Sequence, residues 1–124
     1  MVSRPRFFFP LALTSLAAWI CEVSVLYLCA RALNIDLSAF AVCFILSVAN
    51  FSAILPGTPG NVGTFHYFAV LAAGAFAVNA NYAAALAILF HAMVWAPITI
   101  VGGLFLVADS HKLRLLPGRI RNTG

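Results

Sequence analysis

The chain consists of long apolar runs separated by short polar or Pro/Gly-rich breaks. Four stretches are dominated by apolar residues, at positions 7–33, 39–55, 64–78 and 82–108. The first and last stretches exceed the ~20 residues that an α-helix needs to cross the hydrocarbon core of a bilayer. The pattern therefore predicts an all-α integral membrane protein with three or four transmembrane helices. Residues 1–124 form a single membrane domain that ends in a basic tail at 109–124.

The first apolar run shares two features with a secretory signal peptide. Arg4 and Arg6 precede it, and Ala30-Arg31-Ala32 has small residues at the spacing of a cleavage site. Its apolar region is, however, much longer than the ~7–15 residues of a signal peptide. We therefore expect a retained span, with Pro10 in the first helical turn, where a missing N–H costs little.

Two arrangements fit the middle of the chain. The segment Pro56–Gly63 contains two prolines and three glycines and is not expected to be helical. The run that follows it is only about 22 Å long as a helix, against a core of about 30 Å. The two middle runs are either full spans joined by a cytoplasmic loop or a re-entrant hairpin whose tip lies at membrane depth. The short second arm and the uncharged tip favour the hairpin.

Composition restricts the function classes. Hydrophobic residues make up 64% of the chain and charged residues 8%, whereas soluble domains carry about 25% charged residues. This argues against a soluble enzyme, a nucleic-acid-binding module and a disordered tail. The net charge of +4 comes from basic residues near the two chain ends, where they would flank membrane spans and contact anionic lipid. Nucleic acid is therefore not an expected partner.

The sequence contains no convincing catalytic or metal-binding motif. The glycine spacing at Gly57, Gly60 and Gly63 is not that of a dinucleotide-binding fingerprint, and there is no phosphate-loop lysine. The three cysteines lie inside apolar runs without metal-ligand spacing, at Cys21, Cys29 and Cys43. We expect neither an enzyme nor a bound metal or cofactor.

Three ionisable residues inside the apolar runs are candidates for function. Glu22 lies near the middle of the first span, where a charged group costs about 2.5–3.5 kcal/mol. Such a residue faces protein or a watery cavity, either lining a polar path or joining helices by hydrogen bonds. His66 and His91 are similar candidates, which could contact a head group, relay a proton or bridge helices.

The Pro/Gly break and the helix start after it form the strongest candidate site. Broken helices at membrane depth occur where the backbone lines a cavity or is buried in protein. The free N–H groups at a helix start near Thr64 could receive a phosphate, and glycines allow its close approach. An ordinary interhelical turn is the alternative. The residues assigned to this site are Pro56, Pro59, Gly60, Asn61, Gly63 and Thr64.

Other residues are expected to pack or bend helices. Trp19 precedes Glu22 by three residues and Trp95 follows His91 by four, so that each pair shares a helix face. Pro97 lacks an N–H inside the last span and could kink it. Gly102 and Gly103 permit close helix packing.

The segment from Leu55 to Tyr67 resembles a known family of flippase-like membrane proteins, related to the transmembrane region of lysylphosphatidylglycerol synthases. The family pattern is Pro-x-x-Pro-Gly-x-x-Gly-x-x-Glu, followed by an apolar segment and a span with a basic or His residue and a proline. The chain matches this order, and Trp19-Ile20-Cys21-Glu22 resembles an upstream Trp-x-x-Glu stretch. His66 stands where many members carry glutamate. The matching residues are Pro56, Pro59, Gly60, Gly63, His91 and Pro97.

The resemblance implies translocation or binding of anionic, aminoacylated or glycosylated envelope lipids. Family members are much longer, so the chain looks like their C-terminal part and a partial family domain. Its expected partners are a membrane phospholipid or glycolipid, with a second copy or a missing N-terminal membrane half. The alternatives are an accessory or structural membrane subunit, a fragment without transport activity, and a membrane-embedded synthase, which the lack of a transfer motif argues against.

We predict that both termini lie on the cytoplasmic side of a bacterial cytoplasmic membrane. Arg4 and Arg6 precede the first span, four basic residues follow the last, and the turns at 34–37 and 79–81 carry none. Reporter fusions at each terminus, one active only in the cytoplasm and one only outside it, measure the orientation. A C-terminus outside the cytoplasm would contradict the prediction.

Overall fold

A computed structural model of the chain describes residues 8–55 and 59–114, and side chains as far as residue 109. The described part contains helices and no strands, which confirms the all-α prediction. The helices are α1 (Phe8–Ala32), α2 (Ala39–Phe51), α3 (Thr64–Gly74) and α4 (Ala80–Arg114), with short 3₁₀ turns at Ser52–Ile54 and Pro59–Asn61. Two of them, α1 and α4, are long and apolar enough to cross a membrane.

Two compact units divide the chain. The first extends to Ala92 and contains α1, α2, α3 and the first part of α4. The second begins at Met93 and contains the rest of α4, which is helical without interruption across Pro97. The kink expected at Pro97 therefore does not break the helix. The polar residues discussed below lie in the first unit, apart from those of the last part of α4.

The α1–α2 turn closes α1 with a left-handed residue. Asn34 has a φ of 55°, and the Ile35 N–H donates to the carbonyl of Ala30, five residues back. This is the Schellman arrangement, which satisfies the last carbonyls of a helix. Ser38 then caps α2, because its side chain accepts from the Ala41 N–H at 3.2 Å. Both features suit the residue types, because asparagine tolerates a left-handed conformation and serine is a preferred N-cap.

The α3–α4 turn lies earlier in the chain than the sequence indicates. α3 ends at Gly74 rather than near residue 78, and Ala77 takes the left-handed position with a φ of 58°. The Val78 N–H donates to the carbonyl of Ala73, which repeats the Schellman arrangement. Asn79 is not in the middle of the turn but caps α4, accepting from the Asn81 N–H at 2.9 Å.

The apolar core of the first unit lies beside these two turns. Small residues predominate in it, so the helices approach closely, and α2 packs most extensively against α3 and then against α1. A cavity of only about 10 Å³ remains at its centre, lined by residues of all four helices. The buried helix residues are Leu26, Cys29, Ala30, Ala41, Val42, Ile45, Leu46, Ala49, Phe65, Ala69, Ala72, Ala73, Ala83, Leu86, Ala87 and Phe90.

The lengths of α2 and α3 are those expected of a re-entrant hairpin. α2 has 13 residues and α3 has 11, which is about 20 Å and 16 Å of helix, well short of the ~30 Å core. α1 continues past them: its described residues before Glu22 are exposed throughout. The choice between the hairpin and two full spans stays a prediction.

If the hairpin is re-entrant, its tip should react slowly with polar thiol reagents. Val62 is exposed and follows the break, so Val62→Cys samples the tip, while Asn81→Cys samples the start of α4. In a chain whose three native cysteines are replaced by alanine, and in permeabilised membranes where a polar maleimide reaches both faces, we expect Val62→Cys to label at least about ten-fold more slowly than Asn81→Cys, because thiolates form poorly in hydrocarbon. Equal labelling of the two cysteines would indicate a plain loop.

Candidate functional site

Polar residues of several helices lie at a common depth. The end of the first unit that carries the two Schellman turns is here called the turn end. Counted from this end, Glu22 lies ten residues along α1 and Asn50 lies eleven residues along α2. His91 lies eleven residues along α4. At 1.5 Å per residue each is about 15–16 Å from the turn end, which is half of a ~30 Å hydrocarbon core. If the turn end lies at the membrane surface, these groups lie near the bilayer midplane.

Glu22 contacts an amide on the neighbouring helix. The Nδ2 of Asn50 in α2 donates to the Oε2 of Glu22 in α1, at 3.5 Å, and both side chains are half-buried. This long hydrogen bond joins residues 28 positions apart in the chain. No other described group bonds the Glu22 carboxylate, so most of its acceptor capacity stays open to a ligand or to water.

His66 closes the start of α3. Gly63 precedes the helix and has no side chain with which to cap it, while the Nδ1 of His66 accepts from the Gly63 N–H at 3.2 Å. In a capping box this bond is made by a glutamate or glutamine at the third helical position. His66 occupies that position and supplies the acceptor, so the imidazole does here what a carboxylate does elsewhere.

His66 and His91 lie together, which the sequence did not predict. Their rings stack with centroids 4.9 Å apart and an angle of 28° between planes. Phe65, which is buried, contacts the ring of His91 edge-on at 5.1 Å and stacks on Phe90 at 5.9 Å. The start of α3 is therefore held against α4 by aromatic contacts, and the two candidate histidines form one unit.

The first backbone N–H groups of α3 belong to Thr64, Phe65 and His66, and they precede the i→i−4 bonds of the helix. No side chain at the N-cap position accepts from them, because that position is a glycine. The Thr64 hydroxyl instead bonds back to Asn61, at 3.3 Å from its carbonyl oxygen. Unsatisfied N–H groups and the positive end of the helix dipole together favour an anion at this point.

A further polar atom near this helix is buried without a partner. Ser52 is fully buried, and its Oγ has no hydrogen-bond partner in the described structure. The 3₁₀ turn that contains it packs against α3. Since an unpaired buried hydroxyl costs about 1–3 kcal/mol, a ligand or a water at this atom would recover that cost.

The backbone of the break is strongly bent, as its glycines suggest. Gly60 and Gly63 have φ angles of 75° and 97°, which glycine adopts without strain, and Asn61 between them has a φ of 55°. Pro59 begins the 3₁₀ turn that contains Gly60. Pro56 lies outside the described residues. Of the predicted site, the structure thus brings together the described part of the break, residues 59–63, with Thr64, His66 and His91.

The residues predicted to pack helices are partly or largely exposed. Trp19 and Trp95 are 47% and 45% exposed. A Cβ added to Gly102 or Gly103 would meet no described atom within 4 Å, so their packing role stays a prediction that requires a partner.

Sequence reasoning missed Asn50 and Ser52. Both interrupt an otherwise apolar run, which was the available signal, because polar side chains in a hydrophobic helix usually have a partner or a role. Their separation of two residues is not a helical repeat. Only the ending of α2 at Phe51, with a 3₁₀ turn after it, places Asn50 toward α1 and Ser52 toward α3.

Two apolar helices of spanning length in an all-α fold indicate an integral membrane protein, and the bent break with the polar groups near it is its candidate site. The profile of the family described as lysylphosphatidylglycerol synthase TM region matches residues 1–102. The chain belongs to this family, which confirms the resemblance of the Pro/Gly segment. It is thus a membrane protein of lipid-related function.

One curated relative is the glycosyltransferase AglD of Haloferax volcanii. It is 38% identical to this chain over 96 residues, which cover 73% of this chain and 15% of the relative. The chain therefore spans about 15% of that protein's length. No solved structure matches the chain significantly.

If His66 acts as the capping acceptor, the substitutions that keep an acceptor should preserve the fold. All three substitutions His66→Gln, His66→Glu and His66→Ala lose the ring stacking with His91, but only alanine also loses the acceptor for Gly63. We therefore expect His66→Ala, purified in detergent, to be about 0.5–2 kcal/mol less stable than the other two variants, the usual cost of a lost cap. Tyr67→Ala, at an exposed neighbouring position, is the matched control. Equal stability of the alanine and glutamine variants would show that the Gly63 bond contributes nothing.

Proposed function

We propose that the chain binds the head group of an envelope lipid at the half-depth polar site and carries it across the cytoplasmic membrane. It acts by binding and movement, without covalent catalysis, while the acyl chains remain in the bilayer. The observation that carries the proposal is the start of α3, where no N-cap side chain accepts from the first helical N–H groups and which lies beside the stacked histidines.

The start of α3 suits the phosphate of a lipid head group. It offers the N–H groups of Thr64, Phe65 and His66 and the positive end of the helix dipole. A backbone N–H without a partner in hydrocarbon costs several kcal/mol, so an anion that accepts from these groups is stabilised there. The bends at Gly60 and Gly63 allow the backbone to approach it closely.

Glu22 suits a cationic or hydroxyl-bearing part of the head group. Asn50 bonds one carboxylate oxygen and holds the side chain toward α2. The remaining lone pairs can accept from the ammonium of an aminoacyl group or from sugar hydroxyls. A head group with a phosphate and an amine or a sugar would then find both kinds of partner at the same depth.

The family and the relative support a lipid-handling role. The family takes its name from an enzyme that makes an aminoacylated phospholipid, and the relative is named as a glycosyltransferase. These proteins transfer different chemical groups, so a membrane segment that they share is expected to serve a step common to both. We propose that this is the handling of a membrane lipid that carries the transferred group.

An accessory or structural membrane subunit is the second candidate. The described residues of α1 before Glu22 are exposed throughout, and the chain covers a small part of its relative. Other membrane helices, or a second copy of the chain, could cover this surface. In that arrangement the chain would complete a larger protein and transport nothing itself.

The decisive experiment compares lipid translocation by the wild type and Glu22→Gln in liposomes. Glutamine can still accept from Asn50 but carries no charge, so the protein should fold normally. We expect translocation of fluorescent lysylphosphatidylglycerol to fall by at least about ten-fold, which corresponds to about 1.4 kcal/mol. Bleaching of the fluorophore in the outer leaflet by dithionite measures the rate.

Ser24→Ala is the matched control for this experiment. It lies two residues from Glu22 on α1, and its hydroxyl bonds only the Ile20 carbonyl of its own helix. It should translocate at the wild-type rate. A wild-type rate no faster than that of empty liposomes, or full activity of Glu22→Gln, would leave the accessory-subunit candidate ahead.

A further inference from the structure

An open cleft lies at the turn end of the first unit, away from the half-depth site. It has a volume of about 400 Å³, within the usual range for small-ligand sites, and lies between the α1–α2 turn and the α3–α4 turn. Polar and apolar residues both line it. Those that matter here are Asn34, Asp36, Phe76, Asn79 and Tyr82.

The lining has the chemistry of a saccharide site. Asn34 supplies a side-chain amide, Asn79 supplies its Nδ2 while its Oδ1 caps α4, and Asp36 supplies the carboxylate oxygen that Arg31 does not contact. These groups can donate to hydroxyls and accept from them. Tyr82 and Phe76 supply aromatic faces against which the apolar side of a sugar ring can pack. Together they match a ligand that presents many hydroxyls around an apolar ring face.

An anionic ligand fits the cleft less well. Its residues include an acid and no base, and the neighbouring Arg31 is paired with Asp36 at 3.3 Å. The carboxylate itself is 95% exposed, so it contributes as a hydrogen-bond acceptor in water rather than as a buried charge.

Backbone conformation also marks the cleft. Among the described residues, three that are not glycine have positive φ, and two of them, Asn34 and Ala77, are in its walls. Ala77 gains nothing from its side chain in that conformation, which costs alanine about 1–2 kcal/mol. Both are the left-handed residues of the Schellman turns that end α1 and α3, so these two turns shape the walls of the cleft.

We propose that this cleft binds a saccharide at the membrane surface, separately from the half-depth site. The saccharide is either the head group of a glycolipid or a free sugar, since both present the same hydroxyls. The inference does not depend on translocation: the cleft is about 15 Å of helix away from Glu22 and contains none of the residues assigned to movement.

Two probes distinguish the sources. Methyl β-glucoside tests a free sugar by saturation-transfer NMR with the detergent-purified protein. Diglucosyldiacylglycerol in phosphatidylcholine nanodiscs tests a glycolipid by native mass spectrometry. Binding of the glycolipid alone assigns the saccharide to a lipid, and binding of both assigns recognition to the sugar itself. Failure of both probes overturns the proposal.

Substitutions in the lining test whether the cleft is the site. Tyr82→Ala removes an aromatic face, and Asn34→Gly removes an amide where glycine keeps the positive φ without strain. We expect each to weaken binding about ten-fold, the effect of losing one good contact. Tyr27→Ala and Asn81→Ala, which lie outside the lining, are the matched controls and should bind like the wild type.

Two results would contradict the proposal even if a probe binds. Tyrosines at membrane surfaces also serve as anchors, so unchanged binding by Tyr82→Ala would leave Tyr82 with that role alone. The second result concerns lysylphosphatidylglycerol in the same nanodiscs. If the wild type binds this lipid and not the glycolipid, and Asp36→Asn no longer binds it, the cleft is assigned to an ammonium group. Retention of the glycolipid by Asp36→Asn supports the saccharide, because the amide still bonds hydroxyls.

Discussion

The need to satisfy every backbone polar group in hydrocarbon constrains this structure more than any other factor. α2 and α3 are shorter than a hydrocarbon core of about 30 Å, and in a re-entrant hairpin the break between them would bring helix ends into the membrane interior. Two hydrogen bonds within the chain satisfy some of the polar groups at the break. His66 accepts from Gly63, and Thr64 bonds back to Asn61. The proposed head-group site rests on the remaining N–H groups at the start of α3.

The same constraint explains why the polar side chains lie at one depth. Glu22 is costly anywhere in a span, and its contact with Asn50 lowers that cost only where the end of α2 reaches α1. His91 meets His66 because α3 begins at the corresponding level of α4. The core of small residues fixes these levels, since it sets how closely and in what register α1, α2 and α3 pack.

Most of the fold could be predicted from the sequence, whereas only part of the site could. The lengths of the apolar runs and the Pro/Gly break located the helices. The end of α3 was placed too late because Ala77 takes a left-handed conformation for which alanine gives no signal. The pairs Glu22–Asn50 and His66–His91 depend on packing between helices distant in sequence, which a single sequence does not report.

The bond between His66 and Gly63 bears on how this motif should be read in other chains. At this position the side chain acts as a hydrogen-bond acceptor that reaches the Gly63 N–H, and it does not need a formal negative charge. As acceptors for this N–H, histidine, glutamine and glutamate are then equivalent. A signature that demands an acidic residue at this point would discard chains that share the architecture, whereas one written for any short-range acceptor after the third glycine would retain them.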